Sequence, residues 1–441
     1  MSREPIDSSA RRQWLLALAA LSATSLPLVS PRALASAQQK AARLVILGSG
    51  AGGISLANRL ANTLPAATIT VVDRKEAHHY QPGYTLVATG IWDVAQVIDT
   101  NASLLPSGIR WVREMAREID PEARIVTTDA GTKVPYDFLI VATGLALDYA
   151  AIPGMDVAAI GRDGVTSVYN GPEAAAATWR VLAQFRERGG DALMTLPATP
   201  LKCAGAPLKM TFLVADRLRR AGTFDRSRVT FESALGTVFG VPRVNEDVLR
   251  RWKEGGVGVE FNHRLAEIDI GRRRAVFATP EGERTERPYD FIHVVPPMRA
   301  TDVIRTGPLA WREGPFAAGG WLEVDKSTLR HRRYPNVFGI GDINGTPRGK
   351  TAATVKKSAP VVEANLIAAL ADRDPTASFD GYTSCPMIVR EGSAMLIEFD
   401  YDGKLTPSLP MIDPMQESYL AWLMKVKMLK PAYYAVLKGR V

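Results

Sequence analysis

The stretch TPLKCAGAPLK at 199–209 holds Cys203, one of two cysteines in a chain of 441 residues. The other, Cys385, stands far downstream in GYTSCP. Two distant thiols in one chain form either a structural bridge in an exported protein or a redox pair that opens during a reaction. The surroundings of Cys203 suit chemistry. Lys202 and Lys209 flank it, and an amphipathic helix pattern starts at about Pro207. A thiol ahead of a helix N-terminus and beside ammonium groups has a depressed pKa, so it is present as the nucleophilic thiolate. The same low basicity makes it a good leaving group in disulfide exchange. The 5 scattered histidines and 2 distant cysteines offer no metal-ligand spacing.

The elements that must position Cys203 read as half of a nucleotide-binding unit. An apolar strand over 192–196 enters the turn and the helix leaves it. A nicotinamide-binding domain carries a glycine-rich phosphate turn between such elements. Here the turn has no glycine triplet, and Pro197 and Pro200 stiffen the backbone where phosphates need donors. A nicotinamide donor is therefore disfavoured, and the cysteine occupies its place.

An intact nucleotide motif lies near the N-terminal end. The segment ARLVILGSGAGGISLANRL runs from a strand at 44–47 through Gly48, Gly50 and Gly53 into a helix pattern carried by Ile54, Leu56 and Leu60. These glycines sit where a tight turn, close pyrophosphate approach and helix–strand packing require them. The helix N-terminus suits the phosphates. A second strand, ATITVVD, ends at Asp73, placed to bind ribose hydroxyls. Two later segments, YDFLIVATG with Thr143 and Gly144, and RYPNVFGIGDINGTP with Gly341 and Asp342, resemble the remaining signatures of flavoproteins with two dinucleotide-binding domains. That resemblance implies FAD as cofactor, with Asp342 at its ribityl-pyrophosphate region.

The segments LKCAGAP, ALGTVFGV, HRRYPNVFGIGDINGTP with KTAATV, and FDGYTSCP together resemble sulfide:quinone oxidoreductases. The likeness runs from about Arg43 to the end, closest to the two-cysteine mitochondrial and bacterial branch with non-covalent FAD. It implies an α/β fold with two Rossmann-like domains of the disulfide-reductase type and a C-terminal membrane-associating helical segment. The implied site comprises Cys203 and Cys385 as the catalytic pair. Its cofactor side comprises Gly48, Gly50, Gly53, Asp73, Thr143, Gly144, Gly341, Asp342 and Lys350. In the implied reaction hydrosulfide opens a Cys203–Cys385 bridge at Cys385. Two electrons then pass from Cys203 to FAD and on to ubiquinone or menaquinone. The persulfide on Cys385 leaves to an acceptor: sulfite, a thiol or polysulfide. The chain departs from relatives at Lys356-Lys357-Ser358, which places cations near the flavin pyrimidine end, and at Arg390-Glu391 after the second cysteine. A flavocytochrome-type sulfide dehydrogenase would carry a further cysteine for covalent FAD. A type II NADH:quinone oxidoreductase would carry the second glycine turn. An exported flavin protein with a merely structural bridge would not respond to sulfide.

His78-His79 and the run Gln81-Pro82-Gly83-Tyr84-Thr85 precede the expected flavin, with the run's backbone placed to line the ring. His263 and His293 read as strand or strand-flank packing.

Composition is 46% hydrophobic and 23% charged, which is globular. The net charge of +8 suits an anionic membrane surface or substrate. No zinc knuckle, RNP-like aromatic box or basic arm supports nucleic acid. Arg11-Arg12, an apolar run from Trp14 towards Val29, and small residues at 33–37 form a leader of twin-arginine type. A Sec signal and an uncleaved anchor are the alternatives. Export of a protein that folds around its cofactor gives the twin-arginine route a physical basis and places the protein on the periplasmic side of the inner membrane. From Gln416 the tail interleaves apolar residues with Lys425, Lys427 and Lys430, and Pro431 divides it into two pieces too short to span a bilayer. Such a tail suits the headgroup region, with a docking helix as the alternative. The expected organisation is a leader at 1–37, an FAD domain at 42–150 and 321–375, a second Rossmann-like domain at 151–320, and a tail segment at 376–441. A homodimer is compatible with all of this.

Overall fold

The computed structural model describes residues 30–409 and 413–441. The Arg11-Arg12 pair and the apolar run behind it lie outside the described residues. The small-residue end of the leader does not: Pro31–Gln38 is a helix with Ala33 and Ala37 buried.

Short runs that are apolar at successive positions must be covered on both faces, which suits parallel strands. Five of them form a parallel sheet in the order Val337–Gly339, Phe138–Val141, Arg43–Leu47, Thr68–Val72, Arg110–Val112. Side-chain alternation divides its two cores. Leu44, Ile46 and Ile140 pack with the helices Ala51–Thr63 and Ala352–Leu370. Val45, Leu47, Leu139 and Val141 pack on the other side with Val126, Val134 and Trp321.

The same plan recurs. Val165–Thr166, Phe291–His293, Asp191–Leu196, Arg228–Ser233 and Gly258–Glu260 form a second five-stranded parallel sheet. Helices Pro172–Arg188, Ala206–Arg220 and Pro242–Glu254 contribute to the core on one side. An antiparallel sheet of Arg264–Asp269, Arg274–Ala278 and Arg284–Pro288 covers the other. The halves are joined where Leu145–Leu147 pairs antiparallel with Met298–Ala300.

A hairpin of Thr383–Arg390 and Ser393–Phe399, with Cys385 opposite Ile397, carries the second cysteine. Its buried face, Cys385, Met387, Met395 and Ile397, joins the same core as Leu208 and Met210 of the Ala206–Arg220 helix. That packing, and no sequence proximity, sets Cys385 against the Cys203 turn.

The tail differs from its expected form. Tyr419–Leu423, a π turn at Met424–Met428 and Leu429–Leu437 make one continuous helical run through Pro431. Proline cannot donate to the carbonyl one turn back and its ring crowds that carbonyl, and the wider π turn opens there. The run is docked: Ala421, Met424, Lys425, Val426, Val436 and Leu437 are buried, while Tyr419 and Leu420 face out. Among the described residues no helix is long and apolar enough to cross a membrane.

A dithiol beside a dinucleotide cradle

Cys203 has a left-handed backbone, φ 49°, that costs a non-glycine residue about 1 kcal/mol. Long-range bonds hold it there. Its N–H donates to the Lys350 carbonyl at 2.8 Å, and its carbonyl accepts from Ala206 N at 2.7 Å and the Tyr169 hydroxyl at 3.3 Å. Lys350 belongs to the other half of the chain, so the cysteine turn is anchored across the junction. Both sulfurs are free thiols, Cys203 half-buried and Cys385 buried, and they are in hydrogen-bond contact.

The contact pushes the two thiols in opposite directions. The hydrogen bond from Cys385 draws the Cys203 thiol well below the ordinary thiol range; burial opposes this, while Lys209 and Lys425 assist. The same bond, with burial, pushes Cys385 well up. Lys209 Nζ donates to Cys203 Sγ at 3.4 Å, and although burial opposes it, the two sulfurs raise the ammonium's pKa. The surroundings thus favour ionisation at Cys203 over Cys385.

The sequence leaves Lys425 between the headgroup region and a docking helix. It is only 2% exposed, donates from Nζ to the Pro82 carbonyl at 2.7 Å, and is brought down to about 7, chiefly by burial. Helical spacing carried the signal: Ala421, Met424, Lys425 and Met428 share one face, so the lysine sits on the apolar side. Lys202, brought down to about 8 mainly by burial, completes a cluster of three cations at the pair.

A cavity of about 620 Å³ joins this pair to the glycine motifs. Gly48 has φ 104°, and a Cβ there would lie 2.4 Å from the Ala142 carbonyl; one on Gly53 would lie 1.9 Å from the Gly48 carbonyl. Gly50 instead faces open space on the cavity wall, as a pyrophosphate approach requires. The first N–H groups of the Ala51–Thr63 helix follow it. Asp73 stands behind the wall, accepting from Ser49 N and Oγ at 2.7 and 2.8 Å. Gly144, Gly341, Asp342 and Lys350 line the cavity. Burial raises the Asp342 carboxyl against the pull of Lys350 and Lys202. Lys350 donates to the carbonyls of Asp342 and Asn344 at 2.6 and 2.9 Å. Burial brings it down to about 7. Thr143 is not among the lining residues; its hydroxyl accepts from Thr301 at 3.0 Å.

Other expectations divide. Gln81, Pro82, Tyr84 and Thr85 line the cavity, and the buried Thr85 hydroxyl has no partner among the described residues. Lys356 lines it too, whereas Lys357 lies over the Tyr382 ring at 5.5 Å. Arg390 and Glu391 pair instead with Glu417 and Arg217, away from the sulfurs. His263 pairs with Glu232, and His293 is buried in the second sheet, accepting from Val168 N at 3.3 Å. His78 is a packing residue, buried at 3% exposure beside Asn101 and Tyr433, neither of which the sequence singled out. An open glycine, an unpaired hydroxyl, helix donors and a long cavity fit a bound dinucleotide.

A steric test follows from the packing. A Cβ on Gly205 would fall 2.1 Å from Cys385 Sγ. Gly205→Ala is expected to push the sulfurs apart and to slow oxidative closure of a Cys203–Cys385 bridge at least about tenfold, as followed by loss of free thiols. Unchanged closure would show that the pair is not held in working contact.

Residues 42–176 match the family model described as pyridine nucleotide-disulphide oxidoreductase. The mouse protein named mitochondrial sulfide:quinone oxidoreductase is 35% identical over 393 residues, covering 89% of this chain and 85% of its own length. The Dictyostelium discoideum protein of the same name is 38% identical over 400 residues, covering 90% and 86%. The crystal structure of the sulfide:quinone oxidoreductase from Aquifex aeolicus has the same fold, with a TM-score of 0.74 at 21% identity over 90% of this chain and 92% of that one.

Proposed function

The chain belongs to the sulfide:quinone oxidoreductase family, and on that premise we propose that it oxidises sulfide through Cys203 and Cys385 and delivers two electrons to a quinone. The observation that carries this reading is the pair of cysteines together on the wall of the cavity that holds the nucleotide motifs. In the oxidised enzyme the two sulfurs form a bridge. Hydrosulfide attacks Cys385; the S–S bond breaks, Cys385 becomes a persulfide, and the electron pair of the old bond stays on Cys203. Lys209 holds that thiolate, so no general base is needed when sulfide enters as an anion. A nucleophilic acceptor then takes the outer sulfur from Cys385. The remaining pair of thiolates re-forms the bridge as two electrons leave. Bound FAD would supply the two-electron chemistry that links this pair to the quinone. Gly50 and the Ala51–Thr63 helix would hold its phosphates, Asp73 a ribose, and Asp342 with Lys350 the ribityl region.

The cation cluster of Lys202, Lys209 and Lys425 favours an anionic sulfur acceptor: sulfite, a thiolate or polysulfide. The outward-facing Tyr419 and Leu420 support contact of the tail's rim with a membrane surface, from which a ubiquinone or menaquinone is collected. The Arg11-Arg12 leader supports export by the twin-arginine route to the periplasmic side.

Anaerobic titration tests the reading. Sulfide is expected to bleach the flavin absorbance and a short-chain quinone to restore it, with NADH inert. Bleaching by NADH would transfer the chain to the NADH:quinone class, and indifference to sulfide would remove the proposed reaction altogether.

A further inference from the structure

The cofactor reading leaves one buried array unused. Tyr433, on the Leu429–Leu437 helix of the tail, has its hydroxyl 2.8 Å from His78 Nε2. His78 Nδ1 lies 3.0 Å from Asn101 Oδ1. The Asn101 amide nitrogen donates to Ser49 Oγ at 2.7 Å and to the Lys75 carbonyl at 2.6 Å. Ser49 Oγ in turn donates to Asp73 at 2.8 Å. The direction of every bond is set by its acceptors. Asn101 Oδ1 can only accept, so His78 donates from Nδ1 and accepts the Tyr433 proton at Nε2. The ring is neutral, since burial brings it down to about 4. Ser49, His78 and Asn101 are buried, so an unpaired polar atom left among them is costly.

We propose that the Leu429–Leu437 helix is a clamp on the cofactor's adenosine half, tied by the relay Tyr433–His78–Asn101–Ser49 to Asp73, the acid assigned to its ribose. Position supports the same role. Leu429, Ala432, Tyr433 and Val436 of this helix line the same cavity as Gly50. Ser55, on the helix that follows the glycine turn, donates to the Val436 carbonyl at 3.0 Å. Asn101 fixes the Ser49 turn and the Lys75 loop at once, the two segments adjoining Asp73. Tyr433, His78 and Asn101 are therefore positioning residues: they hold the cradle in its binding shape, and the bound cofactor in turn holds the tail. The inference rests on the cofactor reading of the cradle.

The test uses holoenzyme. FAD release after dilution is followed by flavin fluorescence for the wild type, Tyr433→Phe, Asn101→Ala and the double variant. Tyr434→Phe, which removes a hydroxyl on the same helix that bonds Asp99 instead, is the control. Each relay variant is expected to weaken FAD binding about tenfold, the double variant no more than either single, and the control not at all. FAD is also expected to protect the lysines of 425–438 from trypsin in the wild type and less in Tyr433→Phe. Equal FAD retention in the wild type and relay variants overturns the clamp and leaves the cradle standing. Equal weakening by Tyr434→Phe reduces it to general helix packing and also overturns it. A folded wild type that neither carries nor takes up FAD overturns the cradle reading and the clamp together.

Discussion

Cys203→Ser and Cys385→Ser are each expected to lower sulfide-driven flavin reduction at least about a thousandfold while leaving FAD bound. A serine cannot form the bridge that sulfide opens, so neither variant has a sulfur–sulfur bond to break. Neither side chain belongs to the glycine turns, so cofactor content is the control within the same experiment. The two variants should also differ from each other. With Cys385 replaced, Cys203 loses the bond that most lowers its pKa but keeps Lys209 at 3.4 Å, so it alkylates faster than Cys385 does in the converse variant. With Cys203 removed, Cys385 loses its thiolate neighbour but stays buried in an apolar hairpin face, so its alkylation is slow. Stopped-flow bleaching and iodoacetamide kinetics measure both. Turnover retained by either variant would sink the dithiol mechanism.

Lys209→Met is expected to move the ionisation midpoint of Cys203 upward by about one unit, and Lys209→Arg to restore much of the shift. The sign follows from the charges. The ammonium favours the thiolate, so its loss favours the thiol. Well below the original midpoint about tenfold less thiolate is present, and raising the pH recovers it. The pH profile of alkylation therefore moves to the alkaline side, and the profile of sulfide turnover moves with it. An unmoved midpoint would mean that the bond from Cys385 alone sustains the thiolate.

Much of the site was legible because its parts are local. Gly48, Gly50 and Gly53 are set by backbone geometry within a few residues, and the structure gives each the constraint expected of it. Lys209 lies two turns or less from Cys203 along one helix start, so spacing alone brought it within reach. The tail was read less well. Its lysines were treated as one class, but Lys425 belongs to the buried face and reaches Pro82, while Lys430 stays nearer solvent. Pro431 suggested a break that a π turn absorbs. The hydrogen-bond partners of His78, Asn101 and Tyr433, were not legible because they come from two remote segments.

TPLKCAGAPLK by itself determined a low-pKa thiol ahead of a helix, in a turn unable to cradle phosphates. Strand, turn and helix chemistry act over a few residues, so composition and spacing suffice for them. Only the tertiary structure decided how Cys385 meets that thiol, which lysines surround the pair, and that the tail closes over the cradle. Those depend on the pairing of the Thr383–Arg390 hairpin and the packing of buried faces, and such contacts leave no fixed interval along the chain.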